Sequence, residues 1–401
     1  MFQLTARTGH PSFLDLPWEQ PLEDWRSPRL VSLIRGIGRH VVRFVEYDGA
    51  LYALKELADR PARREWTLLR RLEGQGLPVV EAVGLVTGRG DDLGAVLITR
   101  HLEYSLPYRT LFAGAAIPDL RTHLLNGLAE LLARLHLRGF FWGDCSLSNT
   151  LFRRDAGALS AYLVDAETGE LHGQLSDGQR TYDLDIAQLN IVGELLDVDA
   201  EVGLPPDLDP DETGAEIVAR YQALWDELMK EEVFAADERF RLDERLHRLN
   251  RLGFDVEEIQ LDAQAGGYRL RLDPHVVEPG HHRHRLLRLT GLDAQENQAR
   301  RMLNDLARFR EALERKEKRP ISESVVASRW RQEVFEPTMA AVPEDLWARL
   351  PAAEVFHQVL EHRWFLSERA GKDVGIAEAV RSYVRSELPT RPPERVVLDD
   401  E

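Results

Sequence analysis

The dipeptide Asp48-Gly49 sits between two runs of alternating apolar residues in the stretch RLVSLIRGIGRHVVRFVEYDGALYALKEL (29–57). No other feature constrains the fold as strongly. Asp-Gly between alternating runs marks a two-residue hairpin, because both turn positions take positive φ. A second break at Gly36-x-Gly38 divides the stretch into three runs, which read as three antiparallel strands. In PARREWTLLRRLEGQG (61–76), Trp66, Leu69 and Leu72 share one helical face, and Gly74 and Gly76 end the helix. PVVEAVGLV and AVLITRHL read as two more strands. Beyond them the chain turns helical: a long amphipathic helix over 118–139, the polar loop FFWGDCSLSNTLF (140–152), short strands at TLF and AYLVDAE, and a helix over 180–198. A small antiparallel sheet with one helix, followed by a helical lobe, is an α+β architecture.

Residues with chemistry fall on these elements in a definite order. Lys55 lies on the third strand, where an ammonium can reach nucleotide phosphates. Glu65 lies ten residues on, where a carboxylate can pair with Lys55; Glu56 and Glu73 are its rivals. Asp144 and Asn149 share the polar loop. The aspartate can orient or deprotonate an acceptor hydroxyl, and the asparagine can bind Mg²⁺. Asp165 follows a strand and can take the second metal position, with nucleotide oxygens and waters completing the octahedron. Taken alone, a strand lysine is usually solvated, Gly36-x-Gly38 is explained by a hairpin turn, and Asp, Ser and Asn are common where helices end. A turn does not account for Asp165 at the end of the next strand.

The order Lys, Glu, Asp-x4-Asn, Asp resembles the protein-kinase-like superfamily over residues 29–200. It is most similar to its lipopolysaccharide-kinase and aminoglycoside-phosphotransferase branches. GDCSLSNTLF resembles their H-G-D-x-x-x-x-N loop, and LVDAE resembles their metal-binding strand. Asp185 in YDLDIAQL resembles the aspartate that opens the next helix and braces the loop, with Asp183 the alternative. The resemblance implies a bilobal fold that uses ATP and Mg²⁺. The backbone at Gly36 and Gly38, together with Lys55 and Glu65, would hold the nucleotide, and Asn149 and Asp165 the metal. Asp144 would act on a hydroxyl of a small molecule or glycan. The chain departs from the pattern in several places. Trp142 stands where a histidine is common, and Gly143 where regulated protein kinases carry arginine. The phosphate loop lacks a third glycine, and Ala166-Glu167 replace Phe-Gly. With no Ala-Pro-Glu motif, activation-loop phosphorylation is not expected. The alternatives are a pseudokinase or nucleotide-binding scaffold that recruits a protein partner through the C-terminal half, and an atypical protein kinase.

The expected organisation is an N-terminal arm over 1–28, an N-lobe over 29–104, a C-lobe over 105–210, a mostly helical domain over 211–388 and a disordered tail over 389–401. The fourth segment resembles an uncharacterised bacterial domain of unknown function fused to lipopolysaccharide-kinase-like chains. GLDAQENQARRMLNDLARFR and VLEHRWFLSERAGKDVGIAEAVRSYV carry that resemblance. The net charge of −17 repels phosphate backbones and disfavours nucleic-acid binding. A single cysteine, Cys145, forbids an internal disulfide and reads as a small packing residue. No signal peptide and no membrane-length apolar run is visible, so a cytoplasmic location is expected. His275, His281, His282 and His284 read as a solvated loop rather than a metal site.

Overall fold

The structure, a computed structural model, describes residues 2–395 except 33–39, 91–92, 109–110, 112–119, 206–207, 236–243, 246–247, 249–253, 257–259, 265–266, 272–276 and 373. Gly36, Gly38, Gly266, His275 and the end of the tail therefore lie outside the described residues. The chain divides into two compact units. Met1–Phe152 and Ala161–Leu224 belong to the first, and Arg153–Ser160 and Trp225–Val397 to the second.

The first unit opens with a sheet of six strands: β1 (Gln3–Ala6), β2 (Leu30–Val31), β3 (Val41–Tyr47), β4 (Ala50–Leu57), β5 (Ala82–Thr87) and β6 (Ala95–Arg100). Their order is β1-β5-β6-β4-β3-β2, with every neighbour antiparallel. The β3–β4 turn is the expected hairpin, with Asp48 at φ 52° and Gly49 at φ 76°. The stretch expected as an irregular arm does more than lie on the sheet. It supplies edge strand β1, and it buries Phe13, Leu16, Trp18, Leu22 and Trp25 against Val45, Tyr47, Tyr52, Leu54, Val96 and Ile98. Phe13 meets Tyr47 and Tyr52 edge-on at 5.3 and 5.1 Å. Bulky side chains spaced by prolines carry no period, yet they bury large apolar areas.

This packing fixes where Lys55 points. Leu54 faces the aromatic arm, and side chains alternate along a strand, so Lys55 emerges on the other face. Helix α1 (Asp59–Gly74) packs there, against β5 and β6. Its buried face is Ala62, Glu65, Trp66, Leu69 and Leu72. A carboxylate in an apolar stripe needs a partner, and Lys55 provides it.

The helical lobe follows. Strand β7 (Leu106–Pro107) pairs with β9 (Thr150–Asp155), which forms a hairpin with β10 (Ala158–Leu163). Helix α2 (Leu120–Leu137) buries a row of leucines. Strand β8 (Phe140–Phe141) pairs with β11 (Glu170–Leu171), bracketing the polar loop. Helix α3 (Asp177–Val202) starts at a capping box in which the Gln179 amide donates to Ser176 Oγ and the Ser176 amide to Gln179 Oε1.

Helix α4 (Pro210–Met229) contains the boundary between the units. In the second unit, β12 (Glu232–Ala235), β14 (Gln260–Gln264) and β15 (Gly267–Arg271) form a sheet, and β13 (Phe254–Val256) pairs with β16 (Val277–Pro279). Strands β14 and β15 are antiparallel, with Gln264 opposite Gly267. The helices are α5 (His281–Thr290), α6 (Glu296–Glu317), α7 (Glu323–Trp330), α8 (Glu336–Ala340), α9 (Ala352–Ala370) and α10 (Ile376–Ser386). Their cores centre on Trp330, Phe335 and Phe356, and on Val355, Val359 and Tyr383. The stretch from His281 expected as a loop is helical. Glu296 accepts from the amides of His282 and Arg283 at 2.8 and 3.1 Å and caps a helix whose own sequence offers no side-chain cap. The tail is ordered as far as described: the Glu394 amide donates to Ala348 O at 3.0 Å, and its buried carboxylate pairs with Arg154. Among the described residues no helix is long and apolar enough to cross a membrane.

Candidate active site

Lys55 is held by three carboxylates. Its Nζ lies 3.0 Å from Glu65 Oε2, 2.6 Å from Asp165 Oδ2 and 3.7 Å from Glu167 Oε2. The rivals of Glu65 are engaged elsewhere. Glu56 accepts from the Leu22 amide and pairs with Arg89, and Glu73 pairs with Arg7 at 2.7 Å. Burial first, and the charge of Asp165 second, push the Glu65 carboxyl up to about 8 against the pull of Lys55. For the less enclosed Asp165, burial is outweighed by Lys55 and by the Glu167 amide, which holds Oδ1 at 2.9 Å, so its carboxyl is lowered. Burial thus raises the more enclosed carboxyl, while the ammonium and the amide prevail at the more open one.

The polar loop is built by α3. Asp183 is fully buried. Its Oδ2 accepts from the Trp142 amide at 2.7 Å and from His136 Nε2 at 3.0 Å, and its Oδ1 from the Gly143 amide at 2.8 Å. Burial lowers His136, so the neutral ring donates through Nε2 and accepts from Tyr221 Oη at Nδ1, 2.7 Å away. Gly143 has φ +73°, a conformation that disfavours any side chain. Asp183, not the expected Asp185, is therefore the brace. Two residues on a helix are about 200° apart, so when Asp183 turns inward Asp185 is exposed. Asp183→Ala should destabilise the protein by about 3 kcal/mol by orphaning buried donors, and Asp185→Ala by less than about 0.5 kcal/mol. A larger shift in urea unfolding for Asp185→Ala than for Asp183→Ala would return the brace to Asp185.

Two further α3 residues, not foreseen from the sequence, hold the loop. Asn190 Nδ2 donates to Asp144 Oδ1 at 3.1 Å and to Cys145 O at 3.2 Å. Glu194 accepts from the amides of Leu147 and Ser148 at 2.6 and 3.1 Å, and burial raises its carboxyl. Asp183, Asn190 and Glu194 recur at seven and four residues, on the face that buries Ala187, Ile191 and Leu195. Polar residues interleaved with a buried stripe are the signal that could have found them. Asn149 Nδ2 donates to Asp144 Oδ2 at 3.1 Å, so Asp144 receives one amide on each oxygen. Cys145 is fully buried and its thiol is raised by burial, as a packing residue requires.

The loop and the Asp165 strand are stitched together. Trp142 Nε1 donates to Asp165 O at 2.8 Å, and the Val164 amide donates to Asn149 O at 3.0 Å. Trp142 thus ties the loop to the carboxylate strand. Beyond Asp165, Glu167 bonds His40 Nε2 at 2.7 Å. The donors suit a hard divalent cation: the Asp165 carboxylate, and the Oδ1 of an Asn149 whose Nδ2 is occupied by Asp144.

Two segments of the chain match family models. Residues 49–194 match the family model described as the lipopolysaccharide kinase (Kdo/WaaP) family. That span contains Lys55, Glu65, Asp144, Asn149, Asp165, Asp183, Asn190 and Glu194, and the match supports a kinase-like phosphotransferase. Residues 223–388 match DUF4032, a domain of unknown function. Among solved structures, the chain is similar to one titled "WaaP in complex with acyl carrier protein", with a TM-score of 0.39 and 18% identity. The similarity covers 62% of this chain and 99% of that one. No curated protein matches the sequence. The Kdo/WaaP-like segment has the two parts of a kinase-like fold, a small antiparallel sheet lobe and a helical lobe, and the DUF4032 match coincides with the second unit.

Proposed function

We propose that the protein is an ATP- and Mg²⁺-dependent phosphotransferase acting on a hydroxyl acceptor, a small molecule or a glycan. The observation that supports this most is the Lys55 ammonium held between Glu65 at 3.0 Å and Asp165 at 2.6 Å. Glu65 keeps Lys55 extended towards the nucleotide phosphates. Asn149 and Asp165 would hold Mg²⁺, which would neutralise charge on the phosphate oxygens. Asp144, oriented by Asn149 and Asn190, positions the acceptor hydroxyl and takes its proton.

Thermal unfolding with ATP, with and without Mg²⁺, tests the nucleotide half of this reading. Ligand at a hundredfold excess over Kd stabilises by about 2.7 kcal/mol. The expected result is a rise in Tm with ATP and Mg²⁺ together, reversed by chelation and absent in Asp165→Asn. No shift, or one equally large in Asp165→Asn, would discard the proposal. Phosphate release over a panel of hydroxyl compounds then identifies the acceptor class.

A further inference from the structure

The β9–β10 hairpin joins the two proposed metal residues. Asn149 immediately precedes β9, and Asp165 follows β10 by two residues. Its tip, Arg153–Ser160, belongs to the second unit. The contacts there are numerous and buried. Asp155, 2% exposed, accepts at Oδ2 from the Asn297 amide at 3.0 Å, Asn297 Nδ2 at 3.1 Å and Ser160 Oγ at 3.1 Å. Its Oδ1 accepts from the Gln298 amide at 2.8 Å. Asn297 and Gln298 open α6, so a carboxylate sits on a helix N-terminus where exposed amides and the helix dipole favour it. Gln298 Nε2 donates both to Arg154 O at 2.9 Å and to Glu354 Oε2 at 2.8 Å. Glu354 Oε2 also accepts from the amide of Ala156 at 3.0 Å. Arg154 pairs with the buried Glu394.

A hairpin needs none of this to close. The DUF4032-matching unit instead grips the tip from α6, α9 and the segment beyond α10, with charge-assisted bonds to a buried aspartate. We infer that this unit sets the positions of Asn149 and Asp165 by clamping the hairpin between them, and that Asp155 is the positioning residue of the clamp. The assignment of Asn149 and Asp165 to a metal rests on the proposed function; the clamp itself does not. Asp155 touches neither substrate nor metal. It acts along β9 and β10, whose other ends carry the two residues into the first unit. The C-terminal domain thereby becomes part of the phosphotransfer machinery, and the proposed metal affinity becomes sensitive to anything that loosens α6 from the tip.

The full-length protein and its Asp155→Asn and Gln298→Ala variants test the clamp in two ways. Gln298→Ala removes the Nε2 bonds to Arg154 O and Glu354 and the Oε1 that accepts from the Gln295 amide, yet it leaves Asp155 charged and Glu354 with donors from Ala156 and Gln358, so it stays informative if Asp155→Asn fails to fold. Hydrogen exchange should quicken in both variants at residues 150–152 and 161–166, beyond the clamped tip. The Mg²⁺ concentration that half-saturates ATP-induced stabilisation should rise roughly tenfold, the loss expected when the support of metal ligands is removed, while the stabilisation reached at saturating Mg²⁺ stays unchanged. Faster exchange confined to 153–160 and 296–300, with unaltered Mg²⁺ dependence, would show the network to be local packing and overturn the inference. If the unmodified protein shows no Mg²⁺-dependent ATP stabilisation, the proposed function fails, and exchange at 150–152 and 161–166 alone decides the clamp.

Discussion

Asp144→Asn is expected to lower phosphoryl transfer to a hydroxyl acceptor by about 10²–10⁴-fold, the usual contribution of a general base. ATP affinity in Mg²⁺ should change by no more than roughly twofold, because the lost interaction acts on the acceptor in the transition state and not on the nucleotide. The substitution is nearly isosteric. Asn149 and Asn190 each donate an amide to one carboxylate oxygen of Asp144, at 3.1 Å in both cases. An asparagine can retain only the bond to its oxygen; its amide nitrogen would meet another donor. The side chain therefore loses its basicity and also its fixed orientation. Asn190→Ala separates these effects, since it leaves the carboxylate basic and removes one anchor. Its rate should fall between those of the wild type and Asp144→Asn, with the ATP-induced Tm shift intact. Initial-rate measurements on the acceptor found in the panel check both, and an Asp144→Asn enzyme with undiminished kcat would remove Asp144 from the chemistry.

The lobes were legible because their elements have strong periods. Asp48-Gly49 announced the hairpin, and Trp66, Leu69 and Leu72 announced α1. Lys55, Glu65, Asp144, Asn149 and Asp165 could be picked out because their order along the chain follows the order of the elements that carry them. The N-terminal arm was not legible as part of the sheet, since Phe13, Trp18 and Trp25 pack without any repeat. The choice between Asp183 and Asp185 could not be made from spacing, because both stand in the first turns of α3 and only the direction of its buried face separates them. Asn190 and Glu194 act on a loop more than forty residues earlier, and Asp155 meets partners 142 and 143 residues away. A polar residue on a buried stripe can be noticed locally, but a partner at that range cannot be named from it. The histidines from 281 onward were misread for a related reason: the cap that makes them helical is Glu296, a residue of the next helix.

Lys55→Ala should abolish ATP-induced stabilisation and also destabilise the unliganded protein, by an amount that grows with pH. Three carboxylates surround one ammonium, and Glu65 is 1% exposed. Removing the cation leaves Glu65 buried without its charge partner, a loss typically worth about 3–5 kcal/mol when the remaining group stays ionised. Its ionisation decides the size. The ordinary carboxyl value is 4.5, and in the folded protein burial and Asp165 push Glu65 up to about 8. The folded state therefore binds more protons than the unfolded state between these values, and stability falls as pH rises through that window. Without Lys55 the upward push on Glu65 loses its main opposition, so the window extends to higher pH. Asp165 adds to the effect in the same sense: Lys55 holds its carboxyl low, and the stability this contributes is present above its ordinary value of 3.8 and lost as pH falls through its folded value. At pH 5 the protonated Glu65 tolerates the loss of Lys55, and the deficit should be about 1 kcal/mol, the net worth of a hydrogen bond. At pH 9 it should approach about 3 kcal/mol. Urea unfolding of wild type and variant at pH 5, 7 and 9 measures the difference directly. A deficit that stays constant across that range would mean that Glu65 does not take up a proton in the folded state, and a variant still stabilised by ATP and Mg²⁺ would mean that Lys55 does not hold the phosphates.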